Sequence, residues 1–143
     1  MDEQKRVTIR AASEEDLPAI TKIQSSAPEA SQWNPRDYLT YDCRVAEREG
    51  LVVGFVVARA VGSSEWEVLN LAVATDARRQ GIGRLILGDA LTGRSGEFFL
   101  EVRESNTAGR RFYQRLGFKE VTKRLRYYAN PEESAIVMKL YSC

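Results

Sequence analysis

Apolar positions recur along this chain with two periods, and the switches between them divide it into elements. Alternation at residues 7–10 predicts a first strand. Ser13 follows as a candidate N-cap with Asp16 at capping-box distance. Beyond it, Leu17, Ile20 and Ile23 share one face of a helix running to about residue 25. Residues 26–35 contain two prolines and read as a loop, with a short helix over 36–41. Residues 43–47 and 51–60 read as two strands joined at Glu49-Gly50, a hairpin turn. After a turn at 61–64, residues 65–74 form another strand, and a helix runs from Gly81 to about Thr92, closed off by Gly93 and Gly96. A strand at 97–103, a helix at 106–116 ending on Gly117, and strands at 118–126 and 134–141 complete the chain, the last two split at Asn130-Pro131. The order β-α-α-β-β-β-α-β-α-β-β describes an α/β domain around a mixed, mostly antiparallel sheet flanked by helices.

Composition narrows the chemistry. A chain of 143 residues, 43% hydrophobic and 29% charged, predicts one globular domain over 1–143. The net charge of +1 provides no general attraction to nucleic acid or a membrane, so any anion site must be local. No run is long enough to span a bilayer and the start lacks an apolar signal core, so the expected location is the cytoplasm. The two cysteines lie 100 positions apart, which supports neither a disulfide framework nor a metal site. Cys43, in a predicted strand, reads as a buried, inert thiol, and Cys143 as exposed. Histidine is absent, so a general base must be a carboxylate, a tyrosine, a lysine or a water relay.

The segment Arg78-Arg79-Gln80-Gly81-Ile82-Gly83-Arg84, between the strand that carries Asn70, Leu71, Ala72 and Val73 and the helix that follows, is either a local anion site or a helix start with solvated arginines. Two glycines let a ligand approach the backbone, three arginines add charge, and a helix start presents unpaired N–H groups. The spacing is neither Walker A nor the dinucleotide fingerprint. Further on, Glu101 shares a strand face with Phe99 and Arg103, while Phe98, Leu100 and Val102 take the other. Its carboxyl is either a base whose pKa is raised among apolar neighbours or a surface group paired with Arg103 or a neighbouring strand. Tyr113 is either a core aromatic beside Phe112 and Leu116 or a phenol leaning toward the helix start over Gly109, where the missing side chain would leave room. Asn106 suits the N-cap of that helix, and Arg110, Arg111 and Arg115 face solvent in this reading.

Arg78-x-x-Gly81-x-Gly83 resembles the acyl-CoA pyrophosphate loop of the GNAT acetyltransferase superfamily, and Ser105-Asn106 with Tyr113 shortly before Leu116-Gly117-Phe118 resembles that superfamily's closing half. The runs Leu100-Glu101-Val102-Arg103 and Arg126-Tyr127-Tyr128, with Trp33-Asn34-Pro35, are similar within it to the ribosomal-protein-alanine N-acetyltransferases, the RimI-like family. The resemblance implies acetyl transfer from acetyl-CoA, without a metal, to a primary amine, first of all a protein's N-terminal α-amine. It assigns Arg78, Arg79, Gln80, Gly81, Ile82, Gly83 and Arg84 to the pyrophosphate, Leu71, Ala72, Val73 and Asn106 to the pantetheine arm, Glu101 as base and Tyr113 as acid. Trp33, Asn70, Tyr127 and Tyr128 fall to the acceptor, with loops carrying the aromatics beside a peptide cleft. The implied partner is a protein or peptide N-terminus, with no nucleic acid or membrane, and the enzyme is expected to be a monomer. Transfer to a small amine or a lysine side chain, or acyl-CoA binding without turnover, are the alternatives.

Overall fold

The computed structural model describes residues 6–27, 32–129 and 131–142. Among these residues, seven strands form one mixed sheet in the order β1-β2-β3-β4-β5-β7-β6: β1 Val7–Ala11, β2 Asp42–Arg48, β3 Leu51–Ala60, β4 Glu65–Val73, β5 Gly96–Arg103, β6 Lys119–Ala129 and β7 Glu132–Ser142. Among the described residues, four α-helices accompany them: α1 Leu17–Ser25, α2 Pro35–Tyr38, α3 Ile82–Leu91 and α4 Thr107–Arg115. The element order is the one read from the sequence. The chain divides into two compact units, one running to Arg59 and resuming at Val68–Gly93, the other formed by Ala60–Glu67 and the residues from Arg94 onward.

In the first unit, β1 pairs antiparallel with β2, and β2 with β3. The β2–β3 turn forms where expected: Glu49 and Gly50 have φ of 54° and 78°, the paired left-handed conformation that lets a two-residue turn follow the strand twist. Asp16 fills its capping place, its Oδ2 accepting the Ser13 N–H at 2.8 Å, and a single 3-10 turn over Glu14–Asp16 leads into α1. Arg10 donates to both Asp16 oxygens, at 2.8 and 2.9 Å, which ties the cap to β1. α1 turns Ile20, Ile23 and Gln24 inward, and its apolar residues join Tyr38, Val45, Phe55, Val57 and Leu69 in one core. β3 is apolar almost throughout, with residues of both parities buried from Val53 to Ala58. Gly54 makes that possible: a side-chain carbon there would lie 2.8 Å from Ile86 Cδ1 and 3.2 Å from the Ala72 carbonyl, so α3 can rest directly on the strand. α3 in turn buries Ile82, Ile86, Leu87 and Ala90.

In the second unit, β5 and β7 pair in continuous antiparallel register from Gly96 opposite Ser142 to Arg103 opposite Ala135. Phe98, Leu100 and Val102 are buried while Phe99, Glu101 and Arg103 are half-buried, the alternation the sequence implied. α4 stops at Gly117, whose N–H donates to the Gln114 carbonyl, while Phe118 N–H donates to that of Tyr113, both at 3.0 Å. β6 lies at the sheet edge, nearly all exposed, with register shifts at Glu120/Thr122 and Arg124/Tyr128 and Arg126 at a φ of 53°. Both closing strands are longer than the sequence suggested, since irregular pairing across these bulges carries them past the point where alternation fades. Asn130 and Cys143, which figured in the sequence reading, lie outside the described residues.

Candidate active site

The anion loop lies in the first unit. A 3-10 turn over Thr75–Ala77 is followed by Arg78 in extended conformation, Arg79 at a φ of 63° and Gly81 at 79°, and then α3. The first helical bond is Leu85 N–H to the Gly81 carbonyl at 3.1 Å, so the amides of Ile82, Gly83 and Arg84 precede the ladder, and no side chain caps them among the described residues. A side-chain carbon added at Gly81 would meet nothing within 4 Å among the described residues. Arg79 and Arg84 are exposed. Arg78, assigned to the pyrophosphate from sequence, is engaged with the backbone. Its Nε donates to the Val73 carbonyl at 3.1 Å and its Nη2 to that of Ser26 at 3.3 Å, so this guanidinium clamps the loop to β4 and the end of α1. Gln80 is likewise engaged, accepting from Arg48 and donating to the Asp76 carbonyl at 3.4 Å. Leu71 and Val73 are half-buried and Ala72 buried at the end of β4, and Arg78 already uses one of the carbonyls expected to meet pantetheine.

The same unit carries Trp33 and Asn70. Trp33 is 45% exposed. Its carbonyl accepts from Gln24 Nε2 at 2.6 Å, and Gln32 Nε2 donates to the Gln24 and Ala27 carbonyls at 3.0 and 3.1 Å. Gln24 Oε1 accepts from the Tyr38 hydroxyl at 2.5 Å and from Asn70 Nδ2 at 3.1 Å, and Asn70 also donates to the Tyr38 oxygen at 3.0 Å. Burial raises the Tyr38 phenol above its ordinary pKa, so it remains a donor in this network. Asn70, assigned to the acceptor from sequence, is only 6% exposed, and its side chain serves this buried network, which anchors the backbone beneath Trp33. Gln24 and Tyr38 were not singled out in the sequence, where they sit 46 and 32 positions from their partner with no local signal linking them.

Several titratable groups of the second unit lie around Glu101. Its side chain is 9% exposed, and its Oε2 accepts from Arg124 Nη1 at 2.8 Å. Tyr127 hydrogen-bonds the same carboxylate. Its immediate partners are thus a guanidinium and a phenol, where the strand pattern suggested apolar neighbours. Arg103 donates to Glu133 Oε1 at 3.2 Å and to the Pro131 carbonyl at 3.1 Å, and its guanidinium lies 4.3 Å over the Tyr128 ring. Arg124 lies 4.5 Å over the Tyr127 ring, and the two tyrosines meet edge to face at 5.0 Å. Tyr127 and Tyr128, expected on a loop, are residues of β6. Burial, with the field of Glu101 behind it, raises both phenols, Tyr128 to about 12.

Asn106 caps α4 as expected, accepting the Gly109 N–H at 2.9 Å. That contact corrects the expectation of open space over Gly109: a side-chain carbon there would be 2.6 Å from Asn106 Nδ2, so the cap fills the room the glycine leaves. Tyr113 is half-buried, with its ring edge-on to Phe112 at 5.1 Å and to Phe118 at 5.7 Å. Burial foremost, then the field of Tyr128, holds its phenol well above the ordinary tyrosine range. Of the arginines expected in solvent, Arg110 instead pairs with Glu120 at 2.7 Å and donates to the Glu104 carbonyl at 2.7 Å, while Arg111 and Arg115 are exposed. Cys43 is buried and its thiol pushed up to about 12, burial the leading cause, which fits an inert side chain.

A glycine- and arginine-bearing helix start, and a carboxylate on β5 bonded by an arginine and a tyrosine of β6, are the parts of an acyl-CoA-dependent transferase. The acetyltransferase (GNAT) domain model matches residues 40–120, and the chain belongs to the GNAT family, the acetyl-CoA-dependent N-acetyltransferases. Among its relatives is the alanine N-acetyltransferase of ribosomal protein bS18 from Escherichia coli, 35% identical over 93% of this chain and 96% of that protein. The crystal structure of the ribosomal-protein-S18-alanine N-acetyltransferase from Escherichia coli superposes with a TM-score of 0.80 at 31% identity, covering 95% of this chain and 94% of its own. Ard1 from Thermoplasma volcanium gives a TM-score of 0.86 at 28% identity, covering 96% and 98%.

Proposed function

We propose that the acceptor is the N-terminal α-amine of a protein and that acetyl passes to it directly from acetyl-CoA. The observation that carries this reading is Glu101: a carboxylate on β5 whose side chain is largely buried and bonded to Arg124 and Tyr127, in a chain 35% identical to an enzyme that acetylates a ribosomal protein's alanine. The pyrophosphate is received by the amides of Ile82, Gly83 and Arg84 with the charges of Arg79 and Arg84, while Arg78 and Gln80 hold the loop in shape. Leu71, Ala72, Val73 and Asn106 attend the pantetheine arm. Glu101 takes a proton from the amine, directly or through water. The nitrogen attacks the thioester carbonyl, the C–S bond breaks, and Tyr113 donates to the departing sulfur. Its raised pKa keeps that proton in place at every physiological pH. An α-amine has a pKa of about 7.7–8.0 against about 10.4 for lysine, so a carboxylate base suffices. Trp33, Tyr127 and Tyr128 provide aromatic walls for the peptide. The proposed setting is the cytoplasm, where a ribosomal protein's N-terminus, the relative's acceptor, is made.

The test is mass spectrometry of products from peptides beginning Ala or Ser, compared with the same peptides blocked at the N-terminus and carrying an internal lysine. Acetylation should fall on the free α-amine, and Glu101→Gln should slow it and steepen its dependence on pH, since free amine must then come from solution. Preferential modification of lysine side chains or of free polyamines would overturn the reading.

A further inference from the structure

We propose that Arg124 is a latch on Glu101: it holds the carboxylate until the cationic acceptor amine displaces it. This rests on the reading of Glu101 as the group that meets the acceptor. Glu101 Oε2 accepts from Arg124 at 2.8 Å, so an incoming ammonium and the guanidinium compete for one carboxylate. The two ends of the pair differ in mobility. Glu101 is fixed on β5 with its side chain 9% exposed, while that of Arg124 is 55% exposed on the edge strand β6. Arg124 also stands at the start of the register shift that ends at Tyr128, where Arg126 takes a left-handed φ of 53° and strand pairing is interrupted. A long side chain on such a strand can swing without breaking a ladder bond. Its guanidinium lies over the Tyr127 ring at 4.5 Å, a second partner for its charge once the carboxylate is taken. The charged and titratable groups around the pair are Arg103 on β5, Tyr127 and Tyr128 on β6, Glu133 on β7 and Glu67 on β4. Arg103 is bonded to Glu133, and Arg124 is bonded to the base.

Competition between cations has a signature that structural support lacks. It operates while the amine is protonated and disappears once the amine is neutral. Initial rates on the full chain, with saturating acetyl-CoA and a peptide beginning with Ala, compare the wild type, Arg124→Met and Arg124→Lys. Methionine keeps an apolar stem against the Tyr127 ring and removes the charge. At about pH 6.5, below the amine pKa of about 7.7–8.0, Arg124→Met should lower the peptide KM by about two- to sixfold, the size of one partly exposed ion pair. At about pH 9 the difference should vanish, with Arg124→Lys close to wild type and the acetyl-CoA KM unchanged throughout. An unchanged peptide KM at the lower pH, an equal drop at both, or a lower kcat at constant KM overturns the latch. A wild type inactive on peptide N-termini removes the acceptor reading and the latch with it; an active one with none of these shifts removes the latch alone.

Discussion

Tyr113 shows how much one side chain's surroundings decide. Its ring is fixed between Phe112 and Phe118, and burial holds its hydroxyl proton far more tightly than water would. Such a phenol is useful as a donor and useless as a base. Tyr113→Phe keeps the ring contacts and removes only the donor, so kcat should fall by about 10²–10⁴-fold while acetyl-CoA affinity by calorimetry stays at the wild-type value. Because the folded pKa lies above the ordinary value of about 10, no loss of activity from Tyr113 ionisation should appear below about pH 10 in the wild-type profile. Tyr38 is the structural counterpart. Its hydroxyl joins Gln24 and Asn70 in the core, and Tyr38→Phe leaves Gln24 Oε1 and Asn70 Nδ2 each short of one partner. The expected cost is about 1–3 kcal/mol in a urea titration.

Among elements, those specified by neighbouring residues were legible. The Glu49-Gly50 turn, the Asp16 cap, the Asn106 cap and the start of α3 at Gly81 depend on residues within four positions, and all stand where the sequence put them. What was hidden depends on distant partners. Arg78 turns back to Ser26, 52 positions away, and Arg124 reaches Glu101 across 23. Composition cannot tell a clamping arginine from a ligand-facing one, because the choice depends on which carbonyls the fold brings near. Gly109 shows a related limit at short range, since the Asn106 cap was read and yet the space it fills over Gly109 was taken as open. Gly54 is an element-scale constraint without a sequence signature, a glycine in a strand that lets α3 approach. Gly54→Ala would drive a carbon against Ile86 and the Ala72 carbonyl, and the expected destabilisation is about 1–3 kcal/mol, read as a lower urea midpoint with an unchanged m-value.

For the whole molecule, the consequence of these pairings is sensitivity to acid. Asp16, Glu97, Glu120 and Glu133 all have pKa values below the ordinary carboxylate range. For Asp16 the leading cause is its hydrogen bonds from Arg10, opposed by burial and aided by Ser13. A depressed folded pKa means the stabilisation is complete above the unfolded value, about 3.9 for Asp and 4.3 for Glu, and is lost as pH falls through the folded one. The fold should therefore be insensitive to pH from about 5 upward on account of these groups and weaken below about 4. Asp16→Asn should be less stable at neutral pH but lose less on acidification, so the gap between variant and wild type narrows toward pH 3, as urea midpoints at the two extremes would show. Equal gaps at both would mean that the Arg10–Asp16 pair is electrostatically idle.

Cys43 gives the molecule a built-in reporter. Enclosed in the α1–β3 core and protonated at any working pH, its thiol is closed to disulfide reagents while that core is shut. In a Cys143→Ser background, a colorimetric thiol reagent would record only released CoA during turnover, without background from the enzyme. In the absence of substrate, slow labelling of Cys43 would time the spontaneous opening of the first unit's interior, turning an inert side chain into a clock for local unfolding.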